Sequence, residues 1–135
     1  MRILAVDYGE RRTGIAISDE LGITAQGLKT VEVKDESEIP SLVADIAGDM
    51  KVEKIVVGLP LNMDSTESEK CVKVREFGAL LAEKTNIPIV FWDERLTSIQ
   101  AKRVMHELNK KTYRNKHMVD TISATLILQE YLKTT

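Results

Sequence analysis

The sequence predicts an α/β protein: a mixed five-stranded sheet in the order βββαβαβαα, with helices packed on its faces. Three observations predict it. The first quarter of the chain holds short apolar runs separated by polar turns. From residue 37 onward apolar side chains recur at helical spacing. Two later runs, Ile55-Val56-Val57 and Ile89-Val90-Phe91, do not alternate, as expected of parallel strands covered on both sides. At 135 residues, 43% of them hydrophobic, the chain fits one domain spanning 1–135 with a core large enough to fold alone.

The elements follow in order. Residues 3–6 form a short apolar strand ending in Asp7-Tyr8-Gly9, and residues 14–19 a second after the turn Glu10-Arg11-Arg12-Thr13. A third extended stretch covers 23–33, giving an antiparallel meander. Ile39, Leu42, Val43, Ile46, Ala47 and Met50 place an amphipathic helix over 37–50. Residues 54–59 form a buried strand. Thr66-Glu67-Ser68-Glu69 has capping-box spacing and opens a helix to about residue 84. Residues 87–92 form the last strand, ending in Asp93-Glu94-Arg95. Thr97-Ser98-Ile99-Gln100 is a second capping box, with Ala101, Val104, Met105 and Leu108 as the stripe of its helix. A basic linker over 110–117 leads to a final helix over 119–132.

Composition narrows the function. The charge of −2, from 19 basic and 21 acidic residues, gives no global positive field. The single cysteine, Cys71, excludes a disulfide framework; it falls with Val74, Gly78 and Leu81 on one helix face, as a buried thiol does. No apolar stretch approaches the roughly 20 residues of a membrane span, so a cytoplasmic protein with no membrane partner is expected. His106 and His117 lack metal-ligand spacing, and Phe91 and Trp92 read as core.

The acids carry the chemistry. In open α/β sheets ligands gather beyond the carboxyl ends of the strands. Asp7 ends the first strand and Asp93-Glu94 the last, while Asp120 is the only acid between Glu107 and Glu130. Clustered carboxylates repel unless a cation holds them, and hard oxygen donors suit Mg²⁺ or Mn²⁺. Two such ions about 4 Å apart can drive phosphodiester hydrolysis. Each acid also has a structural alternative: Asp7 as a strand end, Asp93 or Glu94 paired with Arg95, Asp120 as a helix cap or dipole complement.

The cations are uneven. Lys102, Arg103, Lys110, Lys111, Arg114 and Lys116 crowd one segment, and Arg2, Arg11 and Arg12 lie near the first strand. Such a dipolar chain can bind a polyanion on one side, or the segment is a solvated loop after a helix end. The expected nucleic-acid contacts are Arg11, Arg12, Asn62, Arg95, Lys110, Lys111, Arg114 and Lys116, with Tyr113 available to stack on a base. Asn62, Ser65 and Thr66 follow a buried strand and can meet phosphate oxygens or simply cap the next helix.

Four segments, Asp7-Tyr8-Gly9 with Gly14, Gly58-Leu59-Pro60-Leu61-Asn62-Met63-Asp64, Asp93-Glu94-Arg95-Leu96-Thr97 and Val119-Asp120, resemble the bacterial YqgF/RuvX family. That family is described both as pre-16S rRNA nucleases and as Holliday junction resolvases. The resemblance spans nearly the whole chain. It implies an RNase H-like fold and a metal-dependent phosphodiesterase using Mg²⁺ or Mn²⁺. The substrate it implies is the 5′ end of precursor 16S rRNA in ribosome biogenesis, or branched DNA. By the same resemblance Asp7 is the first-strand metal ligand, Glu94 or Asp93 the second and Asp120 the final-helix ligand. Strand alternation turns only one of Asp93 and Glu94 to the site, and Glu94 is preferred. Two departures stand out. The strand at Val57-Gly58-Leu59 lacks the Glu that RuvC-type resolvases carry there, and Ser123 stands where a second acid would follow Asp120.

Two other classes compete. Asp-x-Gly after a first strand also opens the nucleotide-binding domains of actin-like ATPases and sugar kinases, but this chain has one such unit and no glycine-rich adenosine segment. A non-catalytic RNA- or ribosome-binding module is the other, and Asp7→Asn separates it from a nuclease. Oligomeric state is left open by the sequence.

Overall fold

The computed structural model describes residues 1–110 and 116–135. Strands β1 (Ile3–Asp7), β2 (Arg12–Ser18) and β3 (Ala25–Glu32) form the expected antiparallel meander. Helix α1 (Ile39–Asp49) crosses over to β4 (Lys54–Leu59), which pairs parallel with β1. Helix α2 (Glu69–Lys84) then crosses to β5 (Ile89–Asp93), parallel with β4. A 3-10 turn (Glu94–Leu96) and helices α3 (Ile99–Lys110) and α4 (Lys116–Leu132) complete the order. The sheet runs β3-β2-β1-β4-β5, so β1 is central.

Strand alternation sorts the core into two layers. Leu4, Val6, Ile15, Ile17, Ile55 and Val57 face α1 and α2, where Val43, Ala47, Val74, Phe77 and Leu81 close the layer. Cys71 belongs to this layer, fully buried. Ile3, Ala5, Ala16, Val56 and Trp92 face the other way, against Ala124, Ile127, Leu128 and Tyr131 of α4. By this parity Asp7, Gly14 and Gly58 also lie on the α4 face, at the ends of their strands. Among the described residues no helix is long and apolar enough to cross a membrane.

Both expected capping boxes shift. In the loop before α2, Asp64 Oδ1 takes the Thr66 hydroxyl at 2.6 Å and its N–H at 3.0 Å, so Thr66 is used up there. Ser68 caps α2 instead, accepting from the Cys71 N–H. Ser98, rather than Thr97, accepts from the Ala101 N–H at 3.1 Å and caps α3. Helix α4 begins at Lys116, earlier than its apolar stripe indicates.

Candidate active site

Asp7 stands at the carboxyl end of the central strand, flanked on its own face by two glycines. Gly14 is its partner across the β1–β2 ladder. On the other side Val6 pairs with Val57, which puts Gly58 beside Asp7 on β4. Each glycine admits a second carboxylate-bearing residue. A Cβ on Gly14 would collide with the main-chain carbonyl of Asp120, so α4 lies directly on β2 at this point. A Cβ on Gly58 would lie 2.6 Å from Ile127 Cδ1 and 3.2 Å from Glu94 Oε2, so the Glu94 carboxyl occupies the space the missing side chain leaves.

The electrostatics record the convergence. Burial pushes the Asp7 carboxyl up to about 6; the positive charge of Lys70 opposes this and the nearby Asp120 adds to it. Burial likewise pushes Glu94 up to about 7, with Asp7 raising it further and Lys70 again opposing. Asp7 and Glu94 therefore each feel another acid, and an added cation would relieve both.

Asp120 already has one cationic partner. Arg12 Nε donates to Asp120 Oδ2 at 2.9 Å, with both side chains partly shielded from water. Arg12, expected among the nucleic-acid contacts, thus lies against Asp120. Among the described residues no three His, Cys, Asp or Glu side chains stand close enough together to enclose an ion by themselves. The oxygen donors are of the type that Mg²⁺ or Mn²⁺ prefers, and water or phosphate oxygens would have to complete the shell.

Asp93 and Glu94 part ways. Asp93 caps the 3-10 turn by accepting from the Arg95 N–H at 2.9 Å, and its two oxygens receive the Arg95 guanidinium at 2.6–3.0 Å. These hydrogen bonds hold Asp93 below the usual carboxylate range. Its oxygens are engaged by Arg95, the structural alternative expected for it, whereas Glu94 is the acid turned toward Gly58 and Asp7. Arg95 in turn donates to Ser65 Oγ at 2.8 Å, tying the loop after β4 to the turn after β5.

Asn62 is also spent within its loop: its side-chain amide donates to Thr66 Oγ1 at 2.9 Å. Arg11 is exposed in the β1–β2 turn. Lys111, Tyr113 and Arg114 lie outside the described residues, as do the side chains of Lys110 and Lys116. His117 pairs with Glu32 at the start of α4. Lys70, exposed in the first turn of α2, is the residue that sequence reasoning missed. The available signal was a cation where the helix dipole favours acids.

A mixed five-stranded sheet in this order, with helices packed on its faces, is an RNase H-like fold. Known proteins agree. The chain belongs to the RuvX family, whose description reads "Holliday junction resolvase" and whose family model matches residues 1–134. A protein of Agathobacter rectalis, named "Putative pre-16S rRNA nuclease", is 45% identical over 98% of this chain and 94% of its own length. Thermus thermophilus RuvC in complex with a Holliday junction superposes with a TM-score of 0.61 at 14% identity, over 99% of this chain and 96% of that one. The fowlpox virus Holliday junction resolvase gives 0.55 at 14% identity over the full length of both chains. The chain is accordingly a nucleic-acid hydrolase.

Proposed function

We propose that the protein cleaves phosphodiester bonds at Asp7, Glu94 and Asp120 with the help of Mg²⁺ or Mn²⁺, and that its substrate is the 5′ region of precursor 16S rRNA. The observation that carries this reading is the pair of glycines beside Asp7, each of which makes room for another acid-bearing residue. Glycine within a strand marks a place where another group approaches closely, and here the approaching groups are the Asp120 main chain and the Glu94 carboxyl. The name of the 45% identical relative supports the RNA substrate.

A divalent ion bound there would supply charge neutralisation and a water of lowered pKa. The chain's own groups do the remainder. Asp7 and Glu94, raised toward neutrality by burial, must shed protons to act as ligands, and Lys70 favours that by its field. Arg12 reaches Asp120 through Nε, and the forked donors of a guanidinium suit a phosphate. The Asp93–Arg95–Ser65 chain fixes the turn on which Glu94 sits.

A second reading, cleavage of four-way DNA junctions, is favoured by the family description and by the likeness to RuvC. One experiment separates them. The protein and its Asp7→Asn variant are incubated with precursor 16S rRNA and with four-way junctions in Mg²⁺ or Mn²⁺. Metal-dependent cutting of the RNA, lost in the variant, is expected. Cutting of the junction alone assigns the resolvase. Binding without any cutting leaves a non-catalytic RNA- or ribosome-binding module.

A further inference from the structure

We propose that the cleft between α3 and α4 is a nucleobase pocket that takes the base next to the scissile phosphate. The proposal rests on the nuclease reading above and adds which part of the strand this face grips. The cleft encloses about 330 Å³, at the lower end of the roughly 300–1,000 Å³ of small-ligand sites.

Its chemistry is split. Met105 of α3 and Leu126 and Ile127 of α4 give it apolar walls, whereas Lys102 and His106 stand on its α3 side. A thioether and branched aliphatic surfaces suit a flat π-face, and an ammonium and an imidazole suit the polar edge of a base. A sugar or a phosphate alone would leave the apolar walls facing water.

Position ties the cleft to the reaction. Glu94 lines it, and Glu94 and Ile127 are the same two side chains that fill the space above Gly58 beside Asp7. Ser123, also in the lining, lies one helical turn beyond Asp120 on α4. A nucleotide with its phosphate over the carboxylates therefore has this cleft, which Glu94 itself lines, as a recess for its base. Entry requires the base to leave its stack, which single-stranded RNA allows at little cost. A paired base would have to be extruded first.

The test uses the full chain and a single-stranded RNA spanning the 5′ processing region of precursor 16S rRNA. In a matched series one nucleotide at a time is made abasic. Affinity is read by anisotropy in EDTA, and cleavage is read separately in Mn²⁺. One abasic position is expected to weaken binding about tenfold, as the loss of one stacked base does, while its neighbours change little. In the Lys102→Ala/His106→Ala variant, altered only at exposed side chains, that penalty shrinks to about threefold or less. Uniform affinity along the series overturns the pocket, and so does a penalty that persists undiminished in the variant. Failure of the nuclease reading appears elsewhere, as no Mn²⁺-dependent cleavage of the intact RNA, whatever the binding series gives.

Discussion

Gly14 faces Asp7 across the β1–β2 ladder, and the main-chain carbonyl of Asp120 rests where a Gly14 side chain would begin. The distance between two of the three acids is therefore set by a residue that has no chemistry of its own. Since the obstacle is backbone, Gly14→Ala cannot be relieved by a rotamer change and must lift the start of α4. Overpacking of this kind costs about 1–3 kcal/mol, and displacing a reacting group by about 1 Å can cost a hundredfold in rate. Thermal melts should show a lowered Tm, and cleavage well below that Tm should still be reduced about a hundredfold. Gly48→Ala is the control: nothing lies within 4 Å of its Cβ position in α1, so it should gain roughly 0.5–1 kcal/mol with unchanged activity.

Gly58 poses a softer constraint. The nearest atom to its absent Cβ is the end of the flexible Ile127 side chain, and Glu94 Oε2 follows at 3.2 Å. Gly58→Ala should thus lose only about 1 kcal/mol of stability while pushing the Glu94 carboxyl off its position. Activity falling much further than stability, with the loss concentrated in kcat, is the expected pattern. Equal wild-type and variant rates would show that Glu94 acts from another position.

Burial of Asp7 and Glu94 makes stability depend on pH. Their native values of about 6 and about 7 lie above the ordinary 3.8 and 4.5. Between about pH 4 and 7 the native state therefore keeps protons that the unfolded chain has lost, and unfolding free energy falls as pH rises. The contribution is flat below the unfolded values and flat again above the folded ones. Asp93, Asp64 and Asp35, whose values are lowered, act with the opposite sign but at more acidic pH. In EDTA, Tm should fall from pH 5 to pH 7.5, and Glu94→Gln should flatten that fall and stabilise the protein at pH 8 by about 1–3 kcal/mol. Millimolar Mn²⁺ should restore the lost Tm in wild type but not in the variant. A wild-type Tm that rises over this range would contradict the burial of the two acids.

The element order was legible because hydrophobic period is local: the unbroken Ile55-Val56-Val57 run and the Ile39-Val43-Ala47 stripe each declare their partners' layer. Helix starts were less legible, because which hydroxyl caps a helix depends on competitors such as Asp64, which removes Thr66. Asp7, Glu94 and Asp120 could be named as candidates from where they stand in the pattern. That Asp93 belongs to Arg95, that Arg12 reaches Asp120 and that Lys70 looks toward Asp7 are long-range or geometric facts. No spacing rule encodes them. Gly14 and Gly58 were visible as motif letters, but their reason exists only once α4 and the 3-10 turn pack against the sheet.

Arg12 competes with any cation for Asp120. In Arg12→Gln the carboxylate loses that partner, so Mn²⁺ should bind the free protein more tightly, read by calorimetry. Nucleic-acid affinity should fall at the same time, with a salt slope shallower by about 1, as for one lost phosphate contact. Tighter metal with weaker RNA is the signature of a guanidinium that moves between the acid and the strand. Weaker metal binding in the variant would mean that Arg12 props Asp120 in place instead.

Lys70 should matter more as pH falls. Its charge opposes the raised values of both Asp7 and Glu94, so Lys70→Ala moves the acidic limb of the rate profile to higher pH. The loss should be largest near pH 6.5 and should fade by pH 9, where both acids have ionised in either protein. Lys70→Arg keeps the charge and should restore the profile. Lys73 is the informative neighbour, since it lies one turn further along α2 and is paired with Glu10, so Lys73→Ala should leave the limb in place. A limb displaced equally by Lys70→Ala and Lys73→Ala would reduce Lys70 to one element of a diffuse basic surface, whereas displacement by Lys70→Ala alone makes it a positioning residue for the ionised state of the two buried acids.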